Sequence, residues 1–147
     1  MMDGSRWRQT AAARRILVID DEPAILNLAV RALSPDGFTV ALAATGNQGL
    51  AIALHQPFDL VLLDLGLPDL GGEEVLRRLL REHPRQAVLI WSASTDREVL
   101  NRCRTLGAAG YLRKPFTLTE LKRSIAAHCP GYQDPDTDAG SRQAQRR

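Results

Sequence analysis

Only two cysteines occur in the 147 residues, Cys103 and Cys129, and neither belongs to a C-x-x-C pair or a zinc-like cluster. That excludes a disulfide framework and leaves reduced thiols, with a cytoplasmic location, as the expectation. Long apolar runs are missing as well. No segment offers the roughly 18 consecutive apolar residues that a membrane span requires, and "MMDGSRWRQTAAARR" has arginines but no apolar stretch of the kind a secretion signal carries. Nor is one sign of charge in excess: 19 basic against 17 acidic residues leave +2, which argues against a nucleic-acid channel or a polybasic membrane surface. Internal repeats and low-complexity segments are also absent. Partners must therefore be inferred from a site.

What is present is enough apolar material for one compact domain, at 44% hydrophobic residues. Residues 1–14 and 130–147 are polar and aperiodic and are expected to be disordered tails, leaving 15–129 as the folded unit. Within it "RILVID", "FTVALA", "DLVLLD", "AVLIWS" and "AGYLRK" each precede an amphipathic stretch of helical length. Such alternation predicts an α/β fold with a parallel sheet. The first, third and fourth runs are apolar without alternation, as strands covered on both faces should be, whereas the second and fifth are mixed and suit edges. Of the doubly wound orders, 2-1-3-4-5 satisfies both conditions in a five-stranded sheet.

Helix signals agree. Pro23 suits an opening turn before the stripe Leu26, Val30 and Leu33. Leu76, Leu79 and Leu80 mark the third helix, Val99, Cys103 and Leu106 the fourth, and Leu118, Leu121 and Ile125 the fifth. Thr95 with Glu98 and Thr117 with Glu120 read as capping boxes, and Gly107 as the stop of the fourth helix. His55, His83 and His128 fall near helix ends, where partial positive charge is favoured. Arg97, Arg102 and Arg104 read as a solvated face, and Trp91 as core.

The run "ILVIDDEPAI" poses a chemical question, because it ends on three consecutive carboxylates, Asp20, Asp21 and Glu22. Close like charges repel by roughly 4 kcal/mol per pair at an effective dielectric of about 20. Capping a helix requires only one acid. In a doubly wound sheet, however, ligands bind beyond the carboxyl ends of the strands, at the switch between strands 1 and 3. Strand 1 ends in Asp20 and Asp21, strand 3 in Asp64, strand 4 in Ser92 and strand 5 in Lys114. Converging carboxylates need a cation, and hard oxygen donors that leave waters in place favour Mg²⁺. A carboxylate screened by that ion can attack phosphorus, with Lys114 neutralising and Ser92 donating to the phosphoryl oxygens. The constellation thus suits an aspartyl phosphate, and nothing obvious supplies a base to hydrolyse it quickly.

Taken together, "DDE" after strand 1, "LLDLGLPDLGG" around Asp64, "SAS" after strand 4 and "GYLRKPF" at strand 5 resemble a receiver domain of two-component response regulators, over residues 15 to about 128. The resemblance implies the flavodoxin-like, CheY-like (βα)5 fold. It further implies Asp64 as phosphoacceptor from a histidine kinase or phosphotransfer protein. Mg²⁺ would be ligated by Asp21, Asp64 and the Gly66 carbonyl, with Asp20 acting through water. Ser92 and Tyr111 would form a switch, Lys114 would contact the phosphoryl group, and the Lys114–Pro115 peptide would be cis. An output partner would bind the face made by helix 4, strand 5 and helix 5, and no direct nucleic-acid contact or turnover of an external substrate is implied. Ala109 and Gly110 stand where winged-helix regulators carry an acidic pair that aids dimerisation, so that dimer is not expected.

Two other classes share features. A haloacid dehalogenase-type phosphatase also joins an aspartyl nucleophile to Mg²⁺, a hydroxyl and a lysine, but requires an acid two residues after the nucleophile, where this chain has Gly66. A flavodoxin-like electron carrier needs a hydroxyl- and glycine-rich phosphate loop where "DDEPA" stands. The stretch after residue 129 is too short for an output domain, so the sequence reads as a stand-alone receiver or as a piece of a longer regulator or hybrid kinase.

Overall fold

The computed structural model describes residues 14–129 and 131–132. Apart from Arg14, Gly131 and Tyr132, the segments expected to be tails lie outside the described residues. Five strands, β1 (Arg15–Ile19), β2 (Thr39–Ala43), β3 (Leu60–Asp64), β4 (Val88–Ser92) and β5 (Gly110–Arg113), form one parallel sheet in the order β2-β1-β3-β4-β5. They alternate with helices α1 (Pro23–Leu33), α2 (Gly46–His55), α3 (Gly72–Glu82), α4 (Arg97–Leu106) and α5 (Leu118–His128), and a 3-10 turn, Ser34–Asp36, follows α1. Order and edges are those expected from the strand composition.

The three central strands are buried on both faces, and their period of two divides the core. Ile16, Val18, Leu60, Leu62, Leu89 and Trp91 face a layer that includes Leu33, Leu121 and Ile125. Leu17, Ile19, Val61, Leu63, Val88 and Ile90 face one that includes Leu50, Leu76 and Cys103. Each fully buried aliphatic chain contributes about 1.5–3 kcal/mol, so the strands cannot slip by one residue without exchanging layers. In register, Ile19 lies beside Leu63 and Asp64 beside Trp91. The strand ends are therefore aligned, and the polar residues that follow them emerge at one edge.

Three local expectations change. The buried side of α1 is Ala29, Ala32 and Leu33, with Leu26 only half-buried and Val30 at its margin, because alanines fill the close approach to the sheet. The N-cap of α4 is Asp96, whose carboxylate accepts the N–H of Glu98 at 3.0 Å, and not Thr95. In α5, Leu121 and Ile125 are buried as expected, but Leu118, in the first turn and past the end of the sheet, is 45% exposed. Thr117 does cap α5, accepting the Glu120 N–H at 3.1 Å, and Gly107 stops α4 at φ 114°, a backbone region that suits glycine. Arg102 is more than a solvated residue: it grips Glu73 of α3 through two bonds of 2.8 and 3.3 Å.

Beyond α5 the chain turns back onto the domain. Tyr132 is buried, meets Phe38 edge-to-face at 4.7 Å and donates to Asp36 at 2.9 Å, while Arg14 donates to the Gly131 carbonyl at 2.6 Å. Cys103 and Cys129 are free and buried, and that burial pushes both thiols up, away from the reactive thiolate.

Candidate functional site

Each strand delivers its residue by ending where it does. Asp20 follows β1, with its N–H bonded to the Ala43 carbonyl of β2 at 3.0 Å. Asp64 and Ser92 are the last residues of β3 and β4, and Lys114 follows β5, tied by its N–H to the Ser92 carbonyl at 2.8 Å. One carboxylate oxygen from each of Asp20, Asp21 and Asp64 lies within 4.8 Å of the others. Asp21, Asp64, Gly66, Ser92 and Lys114, with Glu22, line a cleft of about 550 Å³. Of the expected site residues only Asp20, buried beneath the cleft's acids, and Tyr111, behind it, do not line this place.

The acids are not equivalent. Asp20 has no exposed surface, and both its oxygens are engaged: Oδ1 accepts the Glu22 N–H at 2.9 Å and Oδ2 the Lys114 ammonium at 2.6 Å. Asp21 is exposed toward the cleft. Asp64 is 6% exposed, and its carboxyl lies above the ordinary range, first because of burial and next because of the Asp20 charge, against the opposing pull of Lys114. Lys114 Nζ is 3.6 Å from Asp64 Oδ1 and 3.8 Å from Glu22 Oε1. Burial alone would lower its pKa, but the bond to Asp20 and the charges of Asp64, Asp20 and Glu22 prevail and raise it. Three acids around one ammonium leave excess negative charge in a half-closed cleft, and hard oxygen donors at this spacing fit a divalent cation of the Mg²⁺ type.

The remaining parts surround this cluster. The backbone of Gly66 pulls the Asp64 carboxyl down against these effects, and a Cβ at Gly66 would stand 3.9 Å from Asp64 Oδ2, so glycine leaves that side of the carboxylate uncovered. Ser92 Oγ accepts the Ser94 N–H at 3.1 Å. The Tyr111 hydroxyl lies 3.0 Å from the Ser92 carbonyl and 2.7 Å from that of Ser94, which ties β5 to the loop leaving the site. The Lys114–Pro115 peptide is cis, as expected. Phe116 stacks on Trp91 at 5.5 Å, and Lys114 Nζ lies 5.8 Å above the indole, so Trp91 is core that also floors the lysine.

Two participants are not evident from the sequence. Glu22 has no capping bond to α1, and its carboxylate instead completes the ring of charge around Lys114. Asp69, in the loop after Asp64, accepts the N–H groups of Gly46 and Asn47 at 2.8 and 2.9 Å. The only local hint of the latter was its turn-forming "PDLGG" context. Among His55, His83 and His128, none borders the cleft.

A doubly wound parallel sheet with an acidic, cation-competent cleft at its switch point, a hydroxyl and a lysine defines the phosphoacceptor class of α/β domains. The profile of the response regulator receiver domain matches residues 16–126, and the chain belongs to that family. It is 40% identical over 112 residues to the transcriptional regulatory protein KdpE of Mycobacterium tuberculosis, covering 76% of this chain and 49% of that protein. It is 30% identical over 116 residues to sporulation initiation phosphotransferase F of Bacillus subtilis, covering 79% of this chain and 94% of that one. The chain thus spans about half the length of several transcriptional regulators it matches, such as KdpE. Among solved structures, the CheY-like receiver domain protein of Methanospirillum hungatei superimposes with a TM-score of 0.76 at 31% identity over 79% of this chain and 93% of that one. The receiver domain of sensor histidine kinase PA1611 from Pseudomonas aeruginosa, described with a magnesium ion coordinated in its active site cleft, gives 0.73 at 28% identity over 80% and 98%. None of these relatives supports the phosphatase alternative.

Proposed function

We propose that Asp64 accepts a phosphoryl group from a histidine kinase or phosphotransfer protein and that the modified domain changes its affinity for an output partner. The convergence of the Asp20, Asp21 and Asp64 carboxylates within 4.8 Å, beside Lys114, carries this reading. Asp21, Asp64 and the Gly66 carbonyl would hold Mg²⁺, with Asp20, both of whose oxygens are taken, reaching it through water. Once bound, the ion supplies charge screening between an anionic nucleophile and an anionic phosphoryl group. An Asp64 oxygen forms the new O–P bond as the P–N bond to the donor imidazole breaks, and the imidazole nitrogen keeps the electron pair. Lys114, already 3.6 Å from Asp64, neutralises a phosphoryl oxygen with little movement. Ser92 must release the Ser94 N–H and turn its hydroxyl inward to donate to another.

The same hydroxyl lies on the path to the surface. Tyr111 lines a groove of about 310 Å³ with Ile90, Leu100, Cys103 and Arg104, and its hydroxyl bonds the Ser92 and Ser94 carbonyls. A change at Ser92 therefore reaches the face made by α4, β5 and α5, which we assign to the partner. Gly66 occupies the position where a phosphatase of the haloacid dehalogenase type would carry its acid. The chain is read as a cytoplasmic signalling module that catalyses only its own modification. Incubation with Mg²⁺ and acetyl phosphate should add one phosphoryl group to the intact mass, with Asp64→Asn inert. If acetyl phosphate and a phosphohistidine donor both leave the mass unchanged, the reading fails.

A further inference from the structure

The loop between Asp64 and α3 is clamped twice, and only one clamp is backbone. Gly72 presses on β3 so closely that a Cβ would fall 2.3 Å from the Asp64 carbonyl oxygen, and its N–H donates to the Leu65 carbonyl at 3.2 Å. Within the loop a side chain is responsible for the second clamp. Asp69 Oδ1 accepts the Gly46 N–H at 2.8 Å and Oδ2 the Asn47 N–H at 2.9 Å, while the Leu70 carbonyl lies where a Cβ on Gly46 would approach to 2.5 Å.

Those N–H groups belong to the first turn of α2, where no intrahelical acceptor exists. Thr45 serves the Gln48 N–H at 3.1 Å, and Asp69 serves the two before it. A carboxylate suits this place because the helix dipole favours negative charge and its two oxygens take two donors at once. The Asp69 carboxyl is accordingly held down at about 2, chiefly by the Asn47 N–H. Gly66 lies in the clamped loop and lines the cleft with Asp21 and Asp64.

We propose that Asp69 is a positioning residue for the cation site: by latching the loop onto the N-terminus of α2, it fixes Gly66 relative to Asp64 and Asp21. This rests on the reading of that cleft as a Mg²⁺ site. Asp69 itself touches neither ion nor phosphoryl group. Asparagine cannot replace it, because one of its two prongs is a donor facing a donor. Glutamate retains both oxygens on a stem one methylene longer.

The test titrates the full chain, labelled with nitrogen-15, with Mg²⁺ alone, comparing wild type, Asp69→Asn, Asp69→Glu and Asn47→Pro. The last removes one donor from the helix side at a first-turn position where proline is tolerated, so the latch can be weakened with Asp69 in place. In Asp69→Asn the Gly46 and Asn47 amide protons should move upfield while the rest of the spectrum stays folded. The Mg²⁺ Kd should weaken by about tenfold, the low end for groups standing behind metal ligands. Asn47→Pro should weaken it in the same direction, and Asp69→Glu should recover part of the loss. Loss of the latch signals in any folded variant with an unchanged Mg²⁺ Kd overturns the proposal. A wild type in which Mg²⁺ moves no amide around Asp20, Asp21 and Asp64 overturns the site reading itself, and the latch role with it.

Discussion

At the scale of single residues, Asp64 and Asp69 are perturbed in opposite directions, and the signs have measurable consequences. Asp64 is buried beside Asp20, so the folded protein holds its proton more tightly than the unfolded chain does. Stability from this group is therefore lost as pH rises from the ordinary 3.8 through the higher folded value, and the ionised carboxylate is a standing cost above it. Asp64→Asn should raise the melting temperature of the metal-free protein near neutral pH, by about 4 °C for each kcal/mol relieved. Below the ordinary carboxyl pKa the gain should vanish, and saturating Mg²⁺ should reverse the ranking, as thermal melts at several pH values will show. Asp69 acts conversely: its contribution is complete above 3.8 and is lost as pH falls toward about 2. The acids at strand ends were legible because their type and position suffice for the inference. Asp69's partners, Gly46 and Asn47, are distant in sequence, and only the folded loop brings them near.

For whole elements, hydrophobic period marked four of the five helices, the second following only from the strand–helix alternation, and the details that depend on neighbours shifted. Alanine carries little weight in a periodic stripe, yet Ala29 and Ala32 form the buried side of α1 because the helix lies close to the sheet. Thr95 and Asp96 are adjacent residues that both cap well, and composition alone does not rank them. In the fold Asp96 holds the N–H of Glu98, so Asp96→Ala should cost about 1 kcal/mol while Thr95→Ala stays within about 0.5. Urea unfolding of the two variants checks this. A loss confined to Thr95→Ala would return the cap to Thr95. Strand order was readable for a firmer reason: strands covered on both faces are continuously apolar, whereas "FTVA" is mixed and "AGYL" weak.

On the scale of the whole molecule, the sheet gathers negative charge at one edge and opposes it with the partly buried ammonium of Lys114. Lys114 pairs with Asp20, which has no exposed surface, so its removal strands a buried carboxylate. Lys114→Ala should destabilise the metal-free protein by about 3 kcal/mol, the scale seen when one partner of a buried pair is lost. Mg²⁺ should then restore more stability to this variant than to wild type, where it contributes about 2.7 kcal/mol at one hundred times its Kd. Urea midpoints with Mg²⁺ and with chelator separate these terms. A variant indifferent to Mg²⁺ would show that the ion does not share the lysine's site.

Phosphoryl transfer is proposed to end on the Asp64 carboxylate. Borohydride reduces an aspartyl phosphate to homoserine, so the protein, treated with Mg²⁺ and acetyl phosphate and then reduced, reports the acceptor in its peptides. Homoserine is expected at position 64 and at no other aspartate, dependent on Mg²⁺. Phosphorylated protein yielding an unaltered Asp64, or homoserine at Asp20 or Asp21, would contradict it.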